Sequence, residues 1–204
     1  MLAIEDNPPM ASPRQYLDLT LEEWLAELSG TTIVPAGGSG LAVAAAMAAA
    51  LVGKVARVSK ASWPAAAGIA AQADALLARA KPLAQLDADA YRSALEARES
   101  TAGLTVDRRD WEIGRAYAAA AEPPLEIARI AADVAELAVE VADQAEARVR
   151  ADALAAAELA AAAARGAVAM VAVNLTATAD DARVAEVTQL ALAAGDAVRR
   201  ASTS

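Results

Sequence analysis

The sequence predicts an all-α protein, a bundle of about six to eight helices, and three observations support this. Alanine fills about 63 of the 204 positions, and alanine has the highest intrinsic helix propensity of all residues. Apolar residues recur at three-four spacing, most clearly over residues 125–142, which is typical of a helix with one buried face. No segment alternates apolar and polar residues over the length of a strand.

Start and stop signals place the first helices. Thr20 and Glu23 have the spacing of a capping box, which opens a short helix that is expected to end at Gly30. After a loop, an alanine-rich helix is expected over about residues 40–60. Pro64 prevents that helix from continuing further.

Prolines mark several of the later boundaries. Pro82 either kinks a helix or starts a new one, and Asp107 or a neighbour is expected to cap the helix after that. Pro123-Pro124 ends this helix and starts the next, because proline suits the first helical turn. The longest helix is expected over about 149–175, and a last one over about 180–200.

The length of 204 residues suggests one domain. Residues 1–15 are predicted to be a disordered leader, and residues 16–204 the helical domain. The first 13 residues carry acids and prolines but no apolar run, so they do not resemble a signal peptide. Together with the absence of cysteine, this favours a cytoplasmic protein.

The absence of histidine and cysteine excludes several kinds of chemistry. Ser-His-Asp and Cys-His catalysis, the usual zinc sites and disulfides all need these residues. Acid/base catalysis must therefore use Asp, Glu, Lys, Tyr or water. We expect no metal and no other cofactor.

Charge and hydropathy limit the partners. The formal net charge is −9 and there are only three lysines, so binding to nucleic acid is not expected. The apolar runs at 41–52 and 166–173 are shorter than the roughly 20 residues that span a bilayer, so no membrane association is expected. Because each alanine buries little area, a bundle of this kind gains from burying further helix faces. We therefore expect a homodimer.

Two segments could bind a ligand. Pro35-Ala36-Gly37-Gly38-Ser39-Gly40 directly precedes the long alanine-rich helix, whose free N–H groups attract anions or carbonyl oxygens. The same segment would also serve as a flexible helix entry. Asp87 and Tyr91 are four residues apart and share a helix face, whereas Asp89 points elsewhere. They could bracket one ligand, or form an exposed acidic face with Tyr91 in the core.

Asp152 is a third candidate, just inside the start of the longest helix. Beside an apolar wall its pKa would rise, and it could act as a base. As a purely structural residue it would interact favourably with the positive end of the helix dipole.

Taken in order, these segments resemble the cyclodeaminase/cyclohydrolase family, which includes the cyclodeaminase half of formiminotransferase-cyclodeaminase and stand-alone methenyltetrahydrofolate cyclohydrolases. Pro35–Ser39 is similar to the family's Pro-Gly-Gly-Gly-Ser loop, and Asp87–Tyr91 to its Asp-x-Glu-Ala-Phe element. The other matches are Pro123–Ala128 for its Val-Pro-Leu helix start, and 151–175 for its Ser-Asp helix with an Asn-Leu end. The chain departs from the family pattern at Ala36, at Ala145-Glu146 and at Ala151.

The resemblance implies an all-helical dimer that binds a folate near the glycine-rich loop and hydrolyses the 5,10-methenyl bridge of tetrahydrofolate. Asp152 or Asp87 would be the catalytic carboxylate, which stabilises the cationic substrate and accepts a proton from water. The substrate-binding residues implied are Gly37, Gly38, Ser39, Tyr91 and Lys60. Two alternatives remain: a member that kept the fold but lost the chemistry, acting as a folate-binding or structural subunit, and a formimidoyltetrahydrofolate cyclodeaminase.

Overall fold

A computed structural model describes residues 15–176 and 180–203. Residues 1–14, almost all of the predicted leader, lie outside this part of the chain. The described residues form α-helices and two short 3-10 helices, with no strand, which confirms the all-α prediction. The helices are α1 (Leu21–Ser29), α2 (Gly37–Ser59), α3 (Ala66–Ala80), α4 (Leu83–Ser100), α5 (Val106–Ala120), α6 (Glu122–Gln144), α7 (Arg150–Asn174) and α8 (Ala182–Thr203).

Several predicted helix boundaries are confirmed. At the start of α1, Glu23 N–H donates to Thr20 Oγ1 over 3.2 Å, and Thr20 N–H donates to the Glu23 carboxylate over 2.7 Å. Pro82 directly precedes α4, so it starts that helix and does not kink one. Pro123-Pro124 lies in the first turn of α6.

The start of α5 agrees with the prediction that Asp107 or a neighbour lies at its cap: Thr105 is at the N-cap position, without a side-chain cap hydrogen bond, and Asp107 lies in the first turn. One boundary differs from the prediction. Helix α2 begins at Gly37, three residues earlier than expected. Its N-cap residue, Ala36, has no side chain that could accept a hydrogen bond, so the early start requires an acceptor from another part of the chain.

Helices α2 and α7 lie antiparallel at the centre of the bundle. Near one end, Gly37 faces the Met170 side chain, and a Cβ built at Gly166 would lie 2.6 Å from a methyl carbon of Leu41. Towards the other end, Lys54 pairs with Asp152. The missing side chain at Gly166 lets the two helices approach closely. The start of α2 therefore lies beside the end of α7.

The main core is built largely from fully buried alanines on α2, α6 and α7, with larger side chains such as Ile127, Ile130 and Val52 between them. Helix α2 and the segment Ala147–Asn174 are long and apolar enough to cross a membrane by length and composition alone. Of an apolar stretch of 18 residues in each, 44% is buried inside the bundle. A buried core helix can meet the same criteria, and the expectation of no membrane association stays a prediction. The expected homodimer stays a prediction, because the structure contains one chain.

Candidate active site

A cavity of about 340 Å³ lies where the start of α2, the middle of α4 and the end of α7 meet. It brings together Gly37, Gly38, Asp87 and Tyr91, four of the residues that the sequence singled out. The glycines and the Asp-Tyr pair are about fifty residues apart in the chain. It is therefore the packing of α2 against α4 that brings these residues together.

The Asp87 carboxylate lies against the first turn of α2, where residue 38 has no side chain. A Cβ built at Gly38 would collide with the carboxylate. Asp87 is only 9% exposed. It lies beside the first turn of α2, where the Ser39 backbone N–H stabilises its charged form and lowers its pKa. Asp87 thus caps α2 from another helix, which explains why α2 begins early.

Ser39 is fully buried beneath this carboxylate. Its hydroxyl donates to the Ala84 carbonyl over 2.8 Å and lies 3.4 Å from Asp87 Oδ2. One hydroxyl proton serves one acceptor well, and 3.4 Å is long for an O–H···O bond. Ser39 therefore holds α2 against α4 and helps to position Asp87. It does not face the cavity, in contrast to the substrate contact implied by the family resemblance.

Burial raises the pKa of Asp87 to about 6, and the hydrogen bonds from the Ser39 side chain and backbone N–H oppose that rise. A carboxylate with such a pKa is ionised at neutral pH but takes up a proton readily. This is the property expected of a general base that works near neutral pH.

Asn174, at the end of α7, also lines the cavity, although nothing in its local sequence pattern predicts a role in binding. Its Nδ2 donates to the Ala120 carbonyl over 2.9 Å. Its Oδ1 is buried and accepts no hydrogen bond from the described residues. A buried acceptor without a donor is destabilising, so such an atom calls for a ligand or a water as its partner. The Asn-Leu ending of the family's helix was the one sequence signal for this residue.

The structure does not bring Asp152 to this cavity. Asp152 forms an ion pair with Lys54 over 2.7 Å, and the two side chains are 38% and 58% exposed. It lies about 27 Å along α7 from Met170, at 1.5 Å per residue. Within one chain, Asp152 and Asp87 cannot act on the same substrate molecule.

Lys60 is also remote from the cavity. It follows the last residue of α2 and lines a separate depression with Arg57 and Asp74. The distance from Gly37 is about 35 Å along the helix. Lys60 therefore cannot contact a ligand bound beside Asp87 of the same chain.

The described residues contain no group of three or more Asp or Glu side chains placed to hold a metal ion. The expectation that the protein uses no metal stays a prediction.

The comparisons with known proteins agree with this fold. The family model described as formiminotransferase-cyclodeaminase matches residues 20–192. A crystal structure of formiminotetrahydrofolate cyclodeaminase from Thermotoga maritima is similar, with a TM-score of 0.81 and 22% sequence identity, over 92% of this chain and 96% of that one. A likeness at this identity shows the fold alone. A search of curated proteins finds no match.

Proposed function

The chain belongs to the formiminotransferase-cyclodeaminase family, and we propose that it is a methenyltetrahydrofolate cyclohydrolase whose catalytic carboxylate is Asp87. The observation that carries the proposal is this buried carboxylate, with a pKa raised to about 6, at the wall of a cavity. The substrate, 5,10-methenyltetrahydrofolate, carries a positive charge on its amidinium bridge. A carboxylate in a poorly solvated cavity attracts such a cation more strongly than it would in water.

The reaction needs one general base. A water oxygen bonds to the amidinium carbon while one of its protons passes to the Asp87 carboxylate. The bond from that carbon to N5 then breaks, the added hydroxyl becomes the formyl carbonyl, and N5 receives a proton. One of the two water protons ends on N5 and the other is released to solvent. The product is 10-formyltetrahydrofolate.

The other cavity residues would bind and orient the pterin. Asn174 Oδ1 offers a free acceptor for a pterin N–H group. Tyr91 lies one helical turn from Asp87 and lines the same cavity. Gly37 and Gly38 line the cavity without side chains; Gly37 is exposed, and Gly38 is buried beside the Asp87 carboxylate.

A second candidate is a non-catalytic family member. The Asp87 carboxylate also accepts a hydrogen bond from the start of α2, so a protein that kept only the fold would still need it. A third candidate is a formimidoyltetrahydrofolate cyclodeaminase, the activity named for the structurally similar Thermotoga maritima protein.

The test follows the absorbance of 5,10-methenyltetrahydrofolate in the presence of purified protein. We expect acceleration by the wild type and a loss of about 100-fold or more in Asp87→Asn. Asp89→Asn is the matched control, because Asp89 lies on the same helix but engages Gln85 and Arg92 instead. No acceleration by a folded wild type would contradict the proposal.

Two further measurements separate the alternatives. Asp152→Asn should leave the rate unchanged, because Asp152 lies at the far end of α7; a loss in this variant alone would assign the chemistry to Asp152. Ammonia release from formiminotetrahydrofolate, without hydrolysis of the methenyl form, would identify a cyclodeaminase.

A homodimer is part of the proposal. Leu21 and Leu25 lie one turn apart on α1 and are 71% and 54% exposed, and burial between two chains would remove this apolar surface from water. Light scattering should then give twice the chain mass of 20.7 kDa.

A further inference from the structure

A second cavity, of about 490 Å³, adjoins the Asp87 cavity. Both cavities are lined by Val173 and Asn174 at the end of α7. The second cavity continues between α4 and α5, where Arg98 and Tyr117 line it. A ligand too large for the first cavity could therefore extend into the second.

Arg98 differs from most arginines of this chain. The others in the described part are largely held by acids, as Arg79 is by Glu126 and Arg129 by Glu186. Arg98 is exposed, and its guanidinium makes no ion pair or hydrogen bond with any described residue, although its backbone carbonyl accepts from the Thr101 hydroxyl. The acid in the same cavity, Asp110, already accepts from Arg109 over 3.1 Å. The second cavity therefore presents a cation that is available to an anionic ligand.

The spacing on α4 aligns this cation with the catalytic carboxylate. Asp87, Tyr91 and Arg98 are four and seven residues apart, so they lie along one face of the helix. The helix rises about 16 Å from Asp87 to Arg98. Because helical side chains lean towards the N-terminus, the Arg98 side chain reaches back towards Asp87 and shortens this span.

We propose that the second cavity binds the aminobenzoyl-glutamate tail of the folate substrate and that Arg98 pairs with a carboxylate of that tail. This inference rests on the proposed function, because it places the amidinium at Asp87. The aminobenzoyl ring would lie on the apolar surface of Val173 and Tyr117, where aromatic contacts are available. The glutamate carboxylates would meet the free guanidinium, a donor suited to them.

A different cavity also adjoins the Asp87 cavity, at Ile33 and Val34, but its charges are unfavourable for an anionic tail. Glu96 and Glu99 line it, and neither forms an ion pair within the described part of the chain. Its arginine, Arg92, is held by Asp89 over 2.7 Å. Charge therefore directs the tail towards Arg98.

The test compares two substrates, 5,10-methenyltetrahydrofolate and 5,10-methenyltetrahydropteroate, which lacks the glutamate. For Arg98→Gln we expect KM to rise about tenfold with the first substrate, the loss of one charged hydrogen bond, while kcat stays unchanged. KM for the second substrate should not change. Arg92→Gln, in the rejected cavity, is the matched control and should behave as the wild type does.

Calorimetry with 5-formyltetrahydrofolate and 5-formyltetrahydropteroate gives a readout that does not depend on turnover. A protein without hydrolytic activity whose Arg98→Gln variant loses affinity only for the glutamylated compound would support the tail site and overturn the cyclohydrolase proposal. Turnover with equal KM values in wild type and Arg98→Gln would overturn the tail site and leave the proposed function intact. If Arg92→Gln, and not Arg98→Gln, lost affinity only for the glutamylated compound, the tail would lie in the other cavity and the proposed tail site would be overturned.

Discussion

The carboxylate of Asp87 occupies the space in which residue 38 would otherwise carry its Cβ. This contact joins the two motifs that the sequence singled out. Residue 38 must be a glycine because any side chain there would collide with the Asp87 carboxylate. The contact also shows which loop glycine matters. At Gly37 a Cβ would meet only Met170, at an ordinary 3.5 Å, and at position 36 the chain already carries an alanine. The departure from the family pattern at Ala36 therefore leaves the contact between Gly38 and Asp87 intact.

Gly38→Ala tests that contact. The new methyl group must displace the Asp87 carboxylate, so we expect at least a 100-fold loss of hydrolysis and a free energy of unfolding lower by about 1–3 kcal/mol. Gly40→Ala is the matched control in the same helical turn, because nothing lies within 4 Å of its Cβ position. This second variant should keep its activity and gain up to about 1 kcal/mol. Equal behaviour of the two in urea unfolding and in the assay would contradict the role given to Gly38.

The pH dependence of the rate should follow Asp87. The carboxylate must be ionised to accept a proton from water, and burial raises its pKa to about 6. We therefore expect kcat/KM, after subtraction of the uncatalysed rate, to rise with pH through about 6 and then level off. The residual rate of Asp87→Asn should lack this rise. If kcat/KM of the Asp87→Asn variant also rose at the same pH, the titrating group would be a residue other than Asp87.

The contribution of Asp87 to the stability of the fold should fall as pH rises through the same range. In the unfolded chain Asp87 ionises near its ordinary value of 3.8, whereas in the folded chain it holds its proton up to about 6. Between these values the folded state holds the Asp87 proton more tightly than the unfolded chain does, so the stabilisation from this group decreases with rising pH. The contribution of this group is about 3 kcal/mol. Below 3.8 the contribution is fully present, and above 6 it is fully lost.

This effect is measured as a difference. Urea unfolding of wild type and Asp87→Asn at several pH values from 4 to 7.5 cancels the titration of all other carboxylates. The variant should become more stable relative to the wild type as pH rises. A constant difference over this range would contradict the raised pKa.

The sequence predicted the fold, and it singled out four residues that line the candidate site, because these features depend on local patterns. The alanine content, the capping box at Thr20 and the prolines at 123–124 predict helices and their ends with no knowledge of the packing. Asp87 and Tyr91 were recognisable as a pair because helical spacing alone places them on one face. The family was recognisable from the order of its motifs, and the match over residues 20–192 confirms it.

The features that the sequence did not predict depend on contacts between segments that are distant in the chain. The local pattern around Asp152 is that of a carboxylate at a helix start, which the structure has. The same local pattern does not predict that α7 runs antiparallel to α2. Because of this antiparallel arrangement, Asp152 lies far from the glycine-rich loop. The start of α2 at Gly37 could not be predicted from its local sequence either, because the carboxylate beside its first turn belongs to a residue of α4.

Asn174 offers a test of how the cavity holds its ligand. In Asn174→Leu the side chain keeps a similar volume but loses the buried Oδ1, so we expect KM for 5,10-methenyltetrahydrofolate to rise about tenfold. The free energy of unfolding should change by less than about 1 kcal/mol. The hydrogen bond to the Ala120 carbonyl is lost, but a buried acceptor without a donor is removed at the same time.

Asn174→Asp gives the opposite pattern and serves as the control. It keeps an acceptor oxygen at the position of the buried Oδ1, but it replaces the donor that faces the Ala120 carbonyl with a second oxygen. Two acceptors then face each other in a partly buried place, so we expect stability to fall by about 1–3 kcal/mol. Kinetics and urea unfolding on the same preparations separate the two effects. An unchanged KM in Asn174→Leu would show that the substrate does not use Oδ1, and the pterin would then have to be oriented by Tyr91 and the backbone of Gly37 and Gly38.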